Sequence, residues 1–364
     1  AILVDLDKLD SNIAQMASLA ASADLKLRPH TKIHKSTYVS ELQLAAGACG
    51  ISVSKLSEAE VYADAGQNDI MVVHPFYGDQ KFSTLKSLVS RTNISCVFDN
   101  IQTAHKISQI GQVANIKIPL LLKIDTGCNR FGVVPGEPAL KMAKEVTKMP
   151  GVELAGILTH ECATDQTSEG DVEKIAYASA SAMSMTASKL RNSGIPIKDI
   201  IAGSTATAKA LCKYSTTFPE ITEIHPGAYV FGDRIYINSF SMQEQECAVT
   251  VLVTVVGTPT RNRACIDAGY KTLGADPMLF MAARETDFEQ WAPTYGVTKG
   301  HSDIKLERLS EEIGILALND TDNQIQIGDK LEILPNHVSL AVNQHERIYG
   351  VRDGIIETEI PVEC

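Results

Sequence analysis

Several large classes of protein are excluded by what this 364-residue chain does not contain. It has no surplus of basic residues: 33 Lys and Arg stand against 44 Asp and Glu, a formal charge of −11. A nucleic-acid partner is not expected without a basic field to draw in phosphates. No long apolar run is present either. The longest, Cys247–Gly257, alternates with threonine and falls short of the roughly 20 residues of a membrane helix. No basic, apolar, small-residue leader opens the sequence at Ala1. The eight cysteines are scattered, the nearest two being Cys247 and Cys265, which gives neither a zinc ribbon nor a disulfide framework. Such thiols suggest a reducing cytoplasm, with most of them buried as small hydrophobes. No GxGxxG follows an early strand, which argues against a dinucleotide-binding sheet.

What is present is the composition of an ordinary globular protein, 44% hydrophobic and 21% charged, at a length that calls for two domains. Up to about residue 235, short apolar runs alternate with amphipathic helical stretches. The runs are Leu25–Arg28, Gly50–Val53, Asp69–Val73, Ile94–Phe98, Ile116–Ile124, Val152–Leu158, Ile197–Ala202 and Ile221–Ile224. Helical patterns between them include Leu56–Ala65, Asp79–Val89, Pro138–Lys148 and Glu169–Asn192. Eight βα units in this span predict an α/β fold, a (β/α)8 TIM-type barrel over residues 8–235. Residues 236–364 change texture and predict a mainly-β C-terminal domain. Expected strands there are Ala248–Val256, Ala264–Asp267 and two within Gln324–Leu334 around a Gly-Asp turn, with a hairpin at Asp353-Gly354. The N-terminal strand, residues 1–7, is expected to join this second domain.

A barrel places its chemistry at the C-terminal ends of its strands. Four of the nine histidines, His30, His74, His160 and His225, fall there. A single histidine at a strand end is more often structural than catalytic, but four converging on one mouth indicate an enzyme. Lys32 follows the first barrel strand between His30 and His34. A lysine desolvated in such a mouth loses its proton and can form a Schiff base with an aldehyde. The alternative is a surface lysine, and Lys35 is a nearby competitor expected to face outward. Gly203-Ser204-Thr205 after strand seven and Pro226-Gly227-Ala228-Tyr229 after strand eight occupy the usual phosphate-binding loops of barrels, although Ser and Thr are also ordinary helix caps. A lysine facing two such loops suggests pyridoxal 5'-phosphate, whose phenolate oxygen Arg130 could hold by its fixed charge.

With those residues in place, the chain resembles the fold-type III pyridoxal phosphate enzymes related to alanine racemase. Within them it looks most like the D-threonine aldolase and D-serine dehydratase family. The likeness rests on VDLDKLDSNIAQM (Val4–Met16), RPHTKIHK (Arg28–Lys35), KIDTGCNRFG (Lys123–Gly132) and GILTHECATD, ending at Asp165. It continues through the Gly-Ser-Thr turn, HPGAYVFGD (His225–Asp233), CIDAGYKTLGADP (Cys265–Pro277) and LPNHVS (Leu334–Ser339). The resemblance implies Lys32 as the Schiff-base lysine, Arg130 at the phenolate and His160 near the pyridine ring, with His30 also a cofactor contact. Ser204, Thr205, Gly227, Ala228 and Tyr229 would be phosphate contacts. It further implies a homodimer whose sites are completed by the partner, and a small D-amino acid substrate. Lys32, His160 and His337 are the catalytic candidates.

The sequence departs from the family pattern at one place. Members hold a divalent metal, zinc or manganese, through His-x-Cys or His-x-Asp, where this chain has His337-Val338-Ser339. A neutral serine is a poor ligand beside thiolate or carboxylate. The family's SEEHG is here Ser310-Glu311-Glu312-Ile313-Gly314. His337 remains the candidate metal ligand, with His345 and Glu346 as possible compensation. Without the metal, His337 is a candidate general base on a substrate hydroxyl. The expected function is a lyase of D-β-hydroxy amino acids, by retro-aldol cleavage or by elimination. An amino-acid racemase and a non-catalytic cofactor-binding protein are the alternatives.

Overall fold

The computed structural model describes residues 1–162, 169–276, 294–318 and 325–364. The chain opens with β1 (Ile2–Asp5) and α1 (Leu6–Ser22) and then alternates strand and helix. The next strands are β2 (Lys26–Leu27), β3 (Ile51–Val53), β4 (Asp69–Val72) and β5 (Asn93–Phe98). After them come β6 (Ile118–Lys123), β7 (Val152–Leu158), β8 (Asp199–Ala202) and β9 (Glu223–Ile224). The helices between them are α2 (Thr37–Ala45), α3 (Leu56–Asp64), α4 (Asp79–Leu88), α5 (Ile101–Ala114), α6 (Glu137–Val146), α7 (Glu169–Asn192) and α8 (Ala208–Lys213).

Strands β2 to β9 make one parallel sheet in the order β2-β9-β8-β7-β6-β5-β4-β3, and a bridge between His30 and Ser52 joins its two ends. This is the (β/α)8 barrel expected from the eight units. Its inner layer is a buried cluster of Met71, Val73, Val97, Leu121, Leu158 and Ile201. Because side chains alternate along a strand, residues two positions away share that interior face.

Several strands begin later than their apolar runs suggest. Asn115 takes the left-handed conformation (φ 55°) at the end of α5, and the Ile116 amide donates back to the Gly111 carbonyl. Leu25 closes α1 in the same way on Ala20. These apolar residues finish helices rather than start strands, a usual device at helix ends.

By contacts the chain divides into two units, the first being residues 13–162 and 169–227 with 363–364. The second holds residues 1–12 and 228–362. Its further helices are α9 (Arg234–Asn238), α10 (Tyr270–Leu273) and α11 (Val338–Val342). Its further strands are β10 (Val249–Thr260), β11 (Arg263–Ile266), β12 (Gly296–Thr298), β13 (His301–Leu309), β14 (Gly314–Ala317), β15 (Lys330–Pro335), β16 (Arg347–Arg352) and β17 (Ile355–Pro361). They form one sheet, β11-β14-β13-β12-β15-β10-β1-β16-β17, with β1 between β10 and β16. The β16–β17 hairpin turns at Asp353 and Gly354, both at positive φ, as the Asp-Gly signal requires.

One expected pair of strands is corrected. After the Gly328-Asp329 turn only β15 forms, because residues 325–327 are spent on the turn. There the Gln326 amide donates to Asp329 Oδ2 and the Asp329 amide to the Gln326 carbonyl. Gln324, Pro277 and residues 163–165 of the quoted motifs lie outside the described residues.

Candidate active site

The polypeptide that carries Lys32 is a single 3-10 turn, Thr31–Ile33, immediately after β2. His30 caps it, its Nδ1 accepting the Lys32 amide at 3.4 Å. His30 Nε2 lies 3.5 Å from Ser54 Oγ. The turn is pinned beneath by Thr31, whose hydroxyl donates to the Ser52 carbonyl. Lys32 is thereby half-buried on the inner rim of the barrel. Burial, reinforced by the Arg130 charge and opposed by Glu58, lowers its pKa.

Lys35 does not face outward as expected. It sits in the left-handed region (φ 48°), and its Nζ is 3.9 Å from the buried Glu58 carboxylate. Glu58 also accepts the Ser54 and Lys55 amides at the start of α3, so Lys35 is tied to a structural cap.

The four strand-end histidines do converge. The His30 and His74 rings are 6.2 Å apart between centroids, and His74 meets Phe131 edge-on at 5.7 Å. His160 follows two residues after Leu158 on the interior face of β7. Burial, then the charges of Lys123, Lys32 and Arg130, push His160 down to about 3 and leave its ring neutral. Burial also lowers His30 well below its usual value and takes His74 to about 4. Arg130 is exposed and stacks 4.8 Å from the Phe131 ring centroid.

Two residues that sequence reasoning did not single out sit in the same mouth. Lys123 lies two residues beyond Leu121, so strand parity was the signal that could have found it. Burial lowers its pKa to about 7 despite the opposing pull of Glu161. Glu161 is buried and accepts the Gly203 amide on both oxygens, at 2.9 and 3.1 Å. It also accepts the Thr207 hydroxyl at 3.2 Å and the Ser179 hydroxyl at 3.3 Å. One carboxylate thus fixes the turn that presents Ser204 and Thr205.

The Gly227 amide donates to Thr205 Oγ1 at 3.1 Å, which ties the loop after β9 to the loop after β8. Ser204 and Thr205 are buried. A Cβ on Gly227 would lie 2.9 Å from the His30 carbonyl oxygen and 3.1 Å from Ile33 Cγ1. Only glycine lets this loop approach the turn carrying Lys32 so closely. Ala228 and Tyr229 follow Gly227 directly, are buried, and form the 3-10 turn Ala228–Val230 in the second unit. His225 is hydrogen-bonded to Glu223 at 2.6 Å, and Glu223 to Arg28 Nε at 2.7 Å. Burial raises the Glu223 pKa, but the His225 bond and the Arg28 charge outweigh it and hold the carboxyl at about 2.

The donor set of this barrel mouth fits a phosphorylated aldehyde. It offers an amine of lowered pKa in Lys32, a second such amine in Lys123, the guanidinium of Arg130, and hydroxyls on a glycine-tightened pair of loops.

In the second unit, His337 caps α11 and its Nδ1 is 2.8 Å from Asp276 Oδ2. Asp233 is fully buried and accepts the Val338 amide at 2.9 Å. Burial raises its pKa to about 6 against the His337 charge. Ser339 is half-buried on α11. His345 is 3.4 Å from the Thr272 carbonyl through Nε2. Among the described residues no group of three or more His, Cys, Asp or Glu side chains is arranged to hold a metal.

The cysteine expectation is corrected in part. Cys128 and Cys162 are joined by a disulfide, their Cα atoms 5.2 Å apart. The barrel brings the loops after β6 and β7 to one rim, which the sequence separation of 34 conceals. Cys96, Cys212 and Cys247 are buried, and Cys49, Cys265 and Cys364 are half-buried.

A parallel barrel with a lysine on its first strand end, followed by a mainly antiparallel β unit in which, among the described residues, only β1 and β16 pair in parallel, defines an alanine racemase-type protein. The chain belongs to that family: the alanine racemase N-terminal domain model matches residues 4–235. Residues 248–351 match the serine dehydratase domain model. The chain is 30% identical to the D-threonine aldolase of Arthrobacter sp, over 98% of this chain and 89% of that one. It is 29% identical to the D-threo-3-hydroxyaspartate dehydratase of Delftia sp., over 98% and 95%. The crystal structure of D-threonine aldolase from Filomicrobium marinum superposes with a TM-score of 0.88 at 27% identity, covering 100% of this chain and 94% of that one. Alanine racemase of Clostridium difficile, at 16% identity and a TM-score of 0.68, shares the fold. No helix among the described residues is long and apolar enough to cross a membrane.

Proposed function

We propose that this protein is a pyridoxal phosphate-dependent lyase of D-β-hydroxy amino acids, working by Cα–Cβ cleavage. The observation that carries the reading is Lys32, an amine with a lowered pKa on the inner rim of a cationic barrel mouth. The named activities of the relatives, D-threonine aldolase and D-threo-3-hydroxyaspartate dehydratase, supply the substrate class.

When bound, the cofactor supplies an aldehyde for the substrate amine and a ring that withdraws electrons from Cα. Lys32 would hold the aldehyde and move the proton at Cα. Ser204, Thr205, Gly227, Ala228 and Tyr229 would hold the phosphate. Arg130 would pair with the phenolate oxygen, and His160 and His30 would contact the cofactor, His160 as a neutral ring. In His337 the Nδ1 is occupied by Asp276, which leaves Nε2 to take the proton of the substrate's β-hydroxyl. Removing that proton drives cleavage to an aldehyde, whereas elimination needs the hydroxyl to leave.

The described residues around His337 do not fit a divalent metal, since Ser339 offers only a neutral hydroxyl, and no step is derived through one. Activity of the wild type is therefore expected to survive chelation, and Ser339→Cys to create zinc dependence. Loss of wild-type activity in chelator, restored by a metal, would overturn this.

The assembly is proposed to be a homodimer, which the exposed Ile355 and Ile356 support as apolar surface for a partner; sedimentation at the monomer mass would refute it. A cytoplasmic location rests on the six free cysteines, and alkylation of freshly lysed cells reads whether Cys128 and Cys162 are paired there.

The deciding experiment offers a panel of D-amino acids to wild type and Lys32→Ala and identifies the products. Glycine plus an aldehyde supports the proposal. A 2-oxo acid plus ammonia makes the protein a dehydratase, and the L-isomer makes it a racemase. No turnover with any of them leaves a cofactor-binding protein. Lys32→Ala is expected to lose at least about 100-fold in turnover and all covalent retention of the cofactor after borohydride.

A further inference from the structure

The lower interior of the barrel is packed unlike its middle. Met71, Val97, Leu121 and Ile201 belong to the buried inner layer. Two residues earlier on the same strands stand Asp69, Ser95, Pro119 and Asp199, which by the period of a strand share the interior face. Barrel interiors are ordinarily filled by layers of bulky branched residues. Two aspartates, a serine and a proline cannot fill that space, and a cavity of about 410 Å³ remains, lined by all four together with Arg28, Lys117, Met71 and Leu121. It lies at the N-terminal ends of the strands, the end of the barrel opposite Lys32.

The charges lining this cavity balance, Arg28 and Lys117 against Asp69 and Asp199, and so do those just behind it, Lys26 at 3.8 Å from Asp199 and Glu223 at 2.7 Å from Arg28. Arg28 is nearly enclosed, its side chain 8% exposed. Its Nε donates to Glu223 and its Nη1 to Asp69, and its Nη2 has no protein acceptor among the described residues. A net anion would meet the two aspartates, and a simple amine would leave Nη2 unused.

We propose that this cavity binds a small zwitterion of the amino-acid class. Its carboxylate accepts from Arg28 Nη2, its ammonium is held by Asp69 and Asp199, and its side chain rests on Met71 and Leu121. The site is separate from the proposed catalytic mouth and does not rest on the reaction assigned there. It communicates with that mouth through Arg28, Glu223 and His225, which are linked by hydrogen bonds of 2.7 and 2.6 Å. Because Glu223 holds His225, a carboxylate drawing on Arg28 alters how firmly that histidine is set.

The test is calorimetric titration of borohydride-treated holoenzyme, in which cofactor fixed to Lys32 can no longer be captured by an incoming amine, with glycine, L-alanine, L-serine and L-valine. The expected result is one-to-one saturable binding of at least one of them with a Kd below about 10 mM. Ala155→Phe, which fills the cavity from β7, is expected to abolish it, and Asp199→Asn to weaken it about tenfold. Circular dichroism and thermal melts check that both variants fold; if Ala155→Phe does not, Asp199→Asn decides. No saturable binding by any of the four overturns the proposal, as does binding that both folded variants retain at wild-type strength. If borohydride fixes no cofactor to Lys32, the catalytic reading fails, and the same titration still tests the cavity.

Discussion

Glu161 does by geometry what a row of backbone amides does at most phosphate loops: it decides where the loop stands. Both of its oxygens accept the Gly203 amide, and the Thr207 hydroxyl completes the hold. Glu161→Gln keeps one acceptor but turns an NH2 group toward these donors, which leaves a buried amide or hydroxyl unpaired at about 1–3 kcal/mol. The expected outcome is cofactor affinity weakened tenfold or more in equilibrium dialysis, with kcat at saturating cofactor changed far less. Unchanged affinity would show that the loop stands without Glu161. This residue was not legible beforehand, because its partners are 42 and 46 residues downstream and no local spacing connects them. Lys32 was legible, since a lysine directly after a strand and between two histidines is a local pattern. Lys35 departs from its expected outward placement because the backbone turns left-handed there and delivers it to Glu58.

At the level of elements, the site depends on two loops meeting a turn. The loop after β9 approaches the Lys32 turn so closely that a methyl group on Gly227 would press on the His30 carbonyl oxygen and Ile33. Gly227→Ala must displace one of them, and overpacking of this kind costs about 1–3 kcal/mol. Scanning calorimetry is expected to show a lower Tm for this variant, and the shortfall should widen with cofactor present because the distorted loop binds it less well. A Tm equal to wild type in both states would show that the loop moves freely. Elements of this kind were largely readable: βα alternation set the order of strands, and the Asp-Gly pair set the β16–β17 hairpin. Their limits were less so. Apolar residues such as Leu25 and Ile116 look like strand residues in sequence, yet their amides are consumed in closing the preceding helix. The Gly328-Asp329 turn likewise takes up the residues that alternation alone would have placed in a strand.

The whole molecule carries a titration signature that follows from gathering histidines inside it. Burial holds His34 and His160 at about 3 and His74 at about 4, all below the ordinary imidazole value. His34 is fully buried near the Lys32 turn, its Nδ1 accepting the Ser36 amide at 3.1 Å. Below the unfolded histidine pKa of about 6.5, the unfolded chain takes up protons that these folded residues refuse. Stability is therefore fully present above about pH 6.5 and falls as the pH drops toward 4. Each such group contributes a slope approaching about 1.4 kcal/mol per pH unit. Asp233 works the other way, because its raised pKa of about 6 lets the folded protein bind a proton that the unfolded chain binds only near 3.9. Burial lowers His30, His225 and His345 as well, so the histidines outweigh Asp233 and leave a net loss toward acid. Urea unfolding of the holoenzyme is expected to show a midpoint that declines steadily from pH 7 to pH 5. His34→Asn should reduce that decline by about one proton's worth, because it removes a fully buried imidazole. Asp233→Asn should make the decline steeper. A midpoint flat across this range would mean that the buried histidines accept protons as readily in the folded protein as in the unfolded chain, and that the mouth is wetter than its packing indicates.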